Sequence, residues 1–534
     1  MEGFMKNKII YKKTQVVLMY LIGLDVGTTG CKATLFSEDG RLIAQSYREY
    51  PLYHPKPSWS EEEPGEVWRG VVETIKEVMV KTGVQAEEVK ALSVSAQGEA
   101  FMPLDRGLNP LYRCITTWDD RAVKQHEDFL RLIDRAELFK ITGHPSSPVY
   151  TLFKLIWFKQ SKPDIYEKTW KFLLWEDYIN MILCGVPAID YSLASRTMLF
   201  DIRRLNWSHE ILELSGLDVD KLPEPYPSGV VVGEVSQEAS RETGLARGTL
   251  VVTGGHDQAC GTLGVGAVNP GITYVATGTV ESIVAPLHAP MLRQEMIPMG
   301  FASYCHVVSN RYLILGANPS AGILLRWFRD RFGEKYIEES SKRGVSVYDL
   351  MMEDASKAPA GSQGLLIAPY FMGAGTPNWD TYARGLILGL TVAHGKPEII
   401  RAIVEGITYE LRLNIETLEK FNVKIEEIRT VGGGARSSFW LQLKADVTGK
   451  RVVVPEITEA SSAGAAMLAG LGAKVYGSVD EAVSKFYREF KTYQPNLKVK
   501  EVYDRFYNVY VKLYPEVKSI YREVFQILEE LGGQ

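Results

Sequence analysis

Apolar and polar positions first separate cleanly between Leu21 and Phe36. An apolar run, Leu21 to Leu24, closes on an acid, Asp25; Gly27, Thr28, Thr29 and Gly30 follow, and a second apolar run begins at once. Two β-patterned runs joined by Gly and Thr predict a hairpin. The pattern returns at Ile272 to Pro286, around Thr277, Gly278 and Thr279. The echo predicts two related halves whose Gly/Thr turns face each other across a cleft; a chance likeness of two hairpins is the alternative. Elsewhere strand-like runs alternate with helical periods, which predicts an α/β chain. Glu66 to Gly83 reads as an amphipathic helix ending at glycine, and Ala91 to Asp105 as a strand broken by a polar turn. Tyr150 to Ser161 and Trp175 to Cys184 read as helices, and Thr249 to Gly264 as a strand, a turn and a small-residue helix. In the second half, a helix is expected after Pro319, a strand, three glycines and a helix over Glu426 to Gly449, and a small-residue helix over Ile457 to Gly470. Glu501 to Leu531 has helical apolar spacing, read as a helix packed on the body rather than a coiled-coil partner surface.

At 534 residues the chain exceeds one typical domain. The net charge of −5 argues against a nucleic-acid partner, which would call for a basic footprint. The five cysteines are scattered, with no CxxC pair, which favours a reduced, cytoplasmic chain without structural zinc. Lys6, Lys8, Lys12 and Lys13 ahead of VVLMYLIGL imitate a secretory signal, but the apolar stretch ends in Asp25 and runs into the hairpin. It reads as a core strand, with residues 1–18 as an extension, or Met19 as the native start. No later run is long enough to span a membrane.

The hairpin turn offers backbone N–H groups and hydroxyls to phosphate oxygens. Asp25 at its base suits Mg²⁺, which takes one or two carboxylates together with phosphates and water. Thr277 to Thr279 would hold neighbouring phosphates, and Gly432, Gly433 and Gly434 would let a flat adenosine approach the backbone. Lys32 either neutralises phosphate or is a solvated strand lysine. In GGHDQ, Asp257 is a candidate base for an attacking hydroxyl, with a helix N-cap as the competing reading. His256 fits a positioning or packing role better than catalysis. GxSxG and HExxH patterns are not apparent.

Taken together, DVGTTGCKATLF, the WDDR tract at Trp118 to Arg121, GGHDQ, SAGILLRWFRD, GGGARSSFWLQLKADVTG, EASSAGAAMLAG and YDRFYNVYVKLYPEV resemble the FGGY carbohydrate kinases. These belong to the superfamily of actin and hexokinase. The resemblance implies two ribonuclease-H-like α/β domains flanking a catalytic cleft. Residues 19–268 would form the sugar-binding, catalytic domain, 269–495 the nucleotide-binding domain, and 496–534 a helical tail. It implies ATP and Mg²⁺, with Asp257 as catalytic base and Asp25 on the metal. Gly27, Thr28, Thr29 and Lys32 would serve the first phosphate loop and Thr279 the second, with Gly322, Gly433 and Gly434 beside the nucleotide. Ser438 stands where glycerol kinases use Asn. For the acceptor, Gln97, Glu99, Trp118, Asp257 and Gln258 are implied. Xylulose kinases typically carry Met-His and glycerol kinases Arg-Glu where this chain has Gly98-Glu99. Gln258 is glycerol-kinase-like, and Trp118 is either an apolar wall or a core aromatic. Phosphorylation of a primary hydroxyl of a ketopentose such as xylulose is expected. Glycerol, another polyol or a sugar acid is the alternative, and a non-catalytic actin-like ATP-binding protein the remoter one. The expected partner is a small sugar or polyol, with no nucleic acid and no membrane; a homodimer is left open.

Overall fold

The first hairpin forms as its pattern dictates. Tyr20–Val26 pairs antiparallel with Gly30–Ser37, and the turn closes with the Gly27 N–H donating to the Gly30 carbonyl at 3.0 Å. The computed structural model describes residues 19–532, so the expected N-terminal extension lies outside the described residues. Leu42–Glu49 continues the antiparallel run, and Val89–Ala96 and Leu250–His256 add parallel strands on the other side. Val231–Glu234 closes that edge antiparallel. One face of the sheet is covered by the helix Pro64–Thr82, which buries Val67, Val71, Ile75 and Val78 at helical spacing and stops at Gly83 in the left-handed conformation.

The second half repeats this order. Gly271–Thr277 and Glu281–Leu287 form the second hairpin, and Tyr312–Asn318 extends it antiparallel. Ile425–Val431 and Arg451–Pro455 lie parallel on the far side, and Glu489–Tyr493 closes the edge antiparallel. Ala302–Cys305 is an added strand outside the repeat. Six strands in the same spatial order and sense make the echo of the two hairpins a structural duplication.

The two sheets are joined by small residues. Helix Asp257–Gly264 of the first half crosses helix Ala460–Gly472 of the second, and a Cβ on Gly464 would sit 1.9 Å from the Cys260 carbonyl oxygen. Only glycine allows that approach, which explains the composition of ASSAGAAMLAGLG. The turn expected before Asp257 is absent: strand Leu250–His256 runs directly into the helix. The C-terminal helix spans Leu497–Glu530 and buries Tyr503, Tyr507, Tyr510 and Tyr514. Beyond Tyr514 the packing thins: Tyr521 still packs on the core and Phe525 meets Tyr382 edge-on at 4.8 Å, while Ile520, Val524 and Ile527 are each about half exposed.

Candidate active site

Asp25 lies one residue from the end of its strand, opposite Lys32 on one neighbour and Ser95 on the other. The Ser95 hydroxyl donates to Asp25 Oδ1 at 3.0 Å. Burial pushes the Asp25 carboxyl above the usual carboxylate range, against the opposing effects of Ser95 and Lys32. A buried carboxylate of this kind suits a hard cation shared with phosphate oxygens. Lys32 has a partner that the sequence did not indicate. Its ammonium is ion-paired with Glu459, just ahead of helix Ala460–Gly472, and so bridges the two halves. Thr28 and Thr29 form the turn with Gly27, and Thr29 is exposed. The Thr28 hydroxyl donates to Gln97 Oε1 at 2.8 Å.

Gln97 departs from its expected role as a sugar contact. It is 5% exposed, and its amide nitrogen lies 2.8 and 3.0 Å from the two carboxyl oxygens of Glu62. Both ends of the side chain are therefore engaged by protein. The next residues of this turn are better placed. Glu99 has a positive φ of 58° and is ion-paired with Arg196, a buried guanidinium the motifs did not indicate. The Gly98 carbonyl accepts from Thr117 Oγ1 at 2.6 Å, which ties the turn to the residue before Trp118. Trp118 is 66% exposed, which removes the core-aromatic reading. Within WDDR, Asp119 and Arg121 are structural, a buried pair that also engages Glu61, while Asp120 is exposed.

Asp257 opens its helix, and its Oδ1 accepts the Gln258 backbone N–H at 2.6 Å. His256, not Asp257, occupies the N-cap position, and it caps without a side-chain bond. Burial, then the charge of Asp25, pushes the Asp257 carboxyl up to about 7, with Glu99 adding to the rise and Arg196 opposing it. His256 lies with Nε2 3.1 Å from Asp257 Oδ1 and Nδ1 3.1 Å from the Tyr304 hydroxyl. Burial holds the imidazole well below its ordinary value, so it is neutral. Its one proton then belongs on Nε2, donated to Asp257, while Nδ1 accepts from Tyr304. That is the expected positioning geometry. Gln258 presents a buried Oε1 with no hydrogen-bond partner.

The second hairpin opens onto a cavity of about 420 Å³ lined by Thr277, Gly278, Thr279, Gly322, Gly433 and Gly434. Helix Gly322–Phe332 starts against the turn, with the Gly322 N–H donating to the Gly278 carbonyl at 3.0 Å. A Cβ on Gly322 would lie 2.4 Å from that oxygen, so the helix N-terminus reaches the turn only with glycine there. The next two N–H groups are taken as well, Ile323 by the Thr279 carbonyl at 3.2 Å and Leu324 by the Ala321 carbonyl at 3.0 Å, so the helix start is tied to the turn. Beneath the turn, the Lys444 ammonium donates to Thr277 Oγ1 at 2.5 Å and to Glu281 Oε2 at 2.5 Å, a buried brace. Ser438 is exposed and does not line the cavity; Ser437, which caps the following helix by accepting from Trp440 N–H, does. Arg326, within SAGILLRWFRD but not singled out there, and Tyr348 and Met352, outside every motif, also line the cavity wall.

A xylulose kinase of Bacillus subtilis is 30% identical over 505 residues, covering 94% of this chain and 98% of that protein. A gluconokinase of the same organism is 32% identical over 469 residues, 87% of this chain and 90% of that one. The crystal structure of ligand-bound xylulose kinase from Lactobacillus acidophilus superposes with a TM-score of 0.86 at 27% identity, covering 95% of this chain and all of that one. Residues 20–264 match the N-terminal domain of the FGGY family of carbohydrate kinases and residues 274–473 its C-terminal domain. With both halves matched, and with the duplicated sheets and the Gly/Thr turns in place, the chain belongs to the FGGY family of carbohydrate kinases.

Proposed function

We propose that this kinase transfers the γ-phosphoryl group of Mg²⁺·ATP to a primary hydroxyl of an uncharged, open-chain sugar larger than glycerol, a ketopentose such as xylulose being the first choice. The carrying observation is the cluster of Asp257, Gln258 and Glu99. It joins a carboxyl with a neutral-range pKa to an unpartnered buried amide oxygen and a buried carboxylate, all suited to sugar hydroxyls. In this reading the first half carries the sugar and the second the nucleotide. Asp257 accepts the proton of the attacking hydroxyl, and His256 holds the carboxylate oriented through Nε2. Thr279, Gly322, Gly433 and Gly434 bind the nucleotide in the cavity at the second hairpin, where glycine at 322 and 434 lets the chain close against Gly278 and Thr277. Asp25 would hold Mg²⁺, which supplies charge neutralisation on the transferring phosphoryl group. A Cβ on Gly98 would lie 3.2 Å from the His256 ring and 3.3 Å from Arg196, so glycine there lets the turn pack against both, and exposed Trp118 offers an apolar wall.

The gluconokinase relative makes a sugar acid the competing substrate. The ion pair of Arg196 with Glu99 speaks against it, because that cation is already neutralised, and the other buried cation nearby, Lys154, is held on the Thr116 and Thr117 carbonyls. The test is ADP release across D-xylulose, D-ribulose, glycerol and D-gluconate at fixed Mg²⁺·ATP. A ketopentose should give the highest kcat/KM. Gluconate as the best substrate would overturn the uncharged-sugar reading, and no sugar-dependent ADP release would overturn the assignment of the cluster.

A further inference from the structure

The turn that carries Glu99 has no side chain at position 98, and the space above it is taken from elsewhere. A Cβ on Gly98 would lie 3.2 Å from both Cδ2 and Nε2 of His256. The imidazole therefore rests directly on the turn, with Asp257 Oδ1 3.1 Å from Nε2. It is 5% exposed and fills the gap between the turn and the carboxyl of Asp257. Arg196 flanks the same spot but is held by its ion pair with Glu99.

The surroundings of the ring hold it still. The His256 backbone N–H donates to Ser192 Oγ at 2.9 Å. Nδ1 lies 3.1 Å from the Tyr304 hydroxyl, and the Tyr304 ring meets the imidazole edge-on at 5.5 Å. Tyr304 comes from the second half, on the added strand Ala302–Cys305. That strand is bound to the first half: the Ser303 N–H donates to the Gly143 carbonyl at 2.8 Å, and a Cβ on Gly143 would lie 1.9 Å from the Ser303 carbonyl oxygen. Both ring nitrogens face protein atoms, so whichever carries the proton, neither is left for a sugar hydroxyl. What the ring offers an acceptor is its volume, and a close-packed group does not yield to a larger ligand. We propose that His256 is a specificity-determining residue: its ring is the wall that bounds the acceptor pocket between Glu99 and Asp257 and sets the largest sugar admitted. The inference rests on reading Asp257, Gln258 and Glu99 as the acceptor site.

The test compares D-xylulose with D-fructose, one carbon longer with the same configuration at C3 and C4, in the full-length protein and in His256→Ala and His256→Phe. ADP release gives kcat/KM for each sugar. Both variants should lose rate, because both lose the nitrogen beside Asp257. Only His256→Ala should change selectivity. Its D-fructose to D-xylulose ratio should rise about tenfold or more, the lower end of what one carbon is worth in a fitted pocket. His256→Phe, which keeps a ring without nitrogens, should hold the wild-type ratio. Calorimetric binding of the two sugars with Mg²⁺ and a non-hydrolysable ATP analogue reads the same ratio where turnover is too slow, and melting curves report folding. An unchanged ratio in His256→Ala, or an equal rise in His256→Phe, overturns the wall and leaves the acceptor assignment intact. Gly98→Ala should weaken D-xylulose binding severalfold in the wild type and not in the His256→Ala background; equal losses in both overturn the contact. No sugar-dependent ADP release from the unaltered protein overturns the acceptor assignment itself.

Discussion

Replacing Asp257 by Asn tests the proposed chemistry most directly. Asn keeps an acceptor for the Gln258 N–H and the His256 ring, so local geometry should persist. It removes the group that takes the proton. A positioned base contributes roughly 10²–10⁴ in rate, or about 3–5 kcal/mol of barrier, and turnover should fall by that factor with little change in nucleotide affinity. The pH dependence makes the prediction specific. With the carboxyl at about 7, roughly a tenth of molecules carry the ionised base at pH 6, half at pH 7 and nine-tenths at pH 8. With both substrates well below their KM, kcat/KM of the wild type should therefore fall about tenfold per unit below neutral pH. Part of the rise comes from the charge of Asp25. A cation held there would cancel it, so saturating Mg²⁺·ATP should move the acid limb to lower pH.

Stability supplies an independent sign. The folded-state value lies above the ordinary 3.8, so native Asp257 holds its proton more tightly than the unfolded chain, and its contribution to stability declines as pH rises between about 4 and 7. Asn lacks this penalty, so the variant should melt no lower than wild type at pH 8, and higher if anything. Stopped ADP-release assays from pH 5.5 to 9 and calorimetry at pH 5.5 and 8 measure all three effects. Near-wild-type turnover in the variant, or an unchanged acid limb in its residual activity, would refute the assignment of the base.

Two further substitutions probe the frame around the site. Gly464→Ala puts a methyl against the Cys260 carbonyl and should force the crossing helices apart, costing about 1–3 kcal/mol and several degrees of melting temperature; an unchanged melt would mean the contact relaxes freely. Arg196→Met leaves Glu99 buried without its cation, which costs about 3–5 kcal/mol when a buried pair loses one member, and Glu99→Gln in the same chain should recover most of it. Denaturant titration of the three chains checks this, and no recovery in the double variant would mean that Arg196 acts through packing alone.

The parts of this molecule that were legible in sequence are those written locally. Two apolar runs with a Gly/Thr joint can hardly be anything but a hairpin, and a glycine after helical spacing ended the helix at Gly83 as expected. GGHDQ exposed its acid because strand, small residues and helix are contiguous there. What escaped lies between residues far apart. Lys32 meets Glu459 across 427 positions and Arg196 meets Glu99 across most of a domain, and no local pattern distinguishes a lysine bound for phosphate from one bound for a glutamate. The partner of Gln97 escaped for the same reason, since Glu62 reaches it only after two sheets have docked. Ser438 was missed by one residue, because helix phase, not proximity to the glycines, decides which serine faces the cavity. In the last helix the periodicity revealed an apolar face, but periodicity says nothing of whether anything covers it beyond Tyr514.

The duplication explains why the two turns, alike in sequence, need not do the same work. Each follows a first strand and abuts a third and fourth strand in the same order. Asp25 stands two residues ahead of Gly27, whereas the corresponding place ahead of Gly278 is Ala276. Only the first turn therefore has a carboxylate at its base. The second instead rests on the buried Lys444–Glu281 pair, which neutralises itself, and its carbonyls hold the start of helix Gly322–Phe332. A turn with a carboxylate at its base suits a cation, whereas a turn without one, beside a cavity lined by the backbone of Gly433 and Gly434, suits an anion. Two turns in equivalent places of the repeated strand order thus differ in the charge they present.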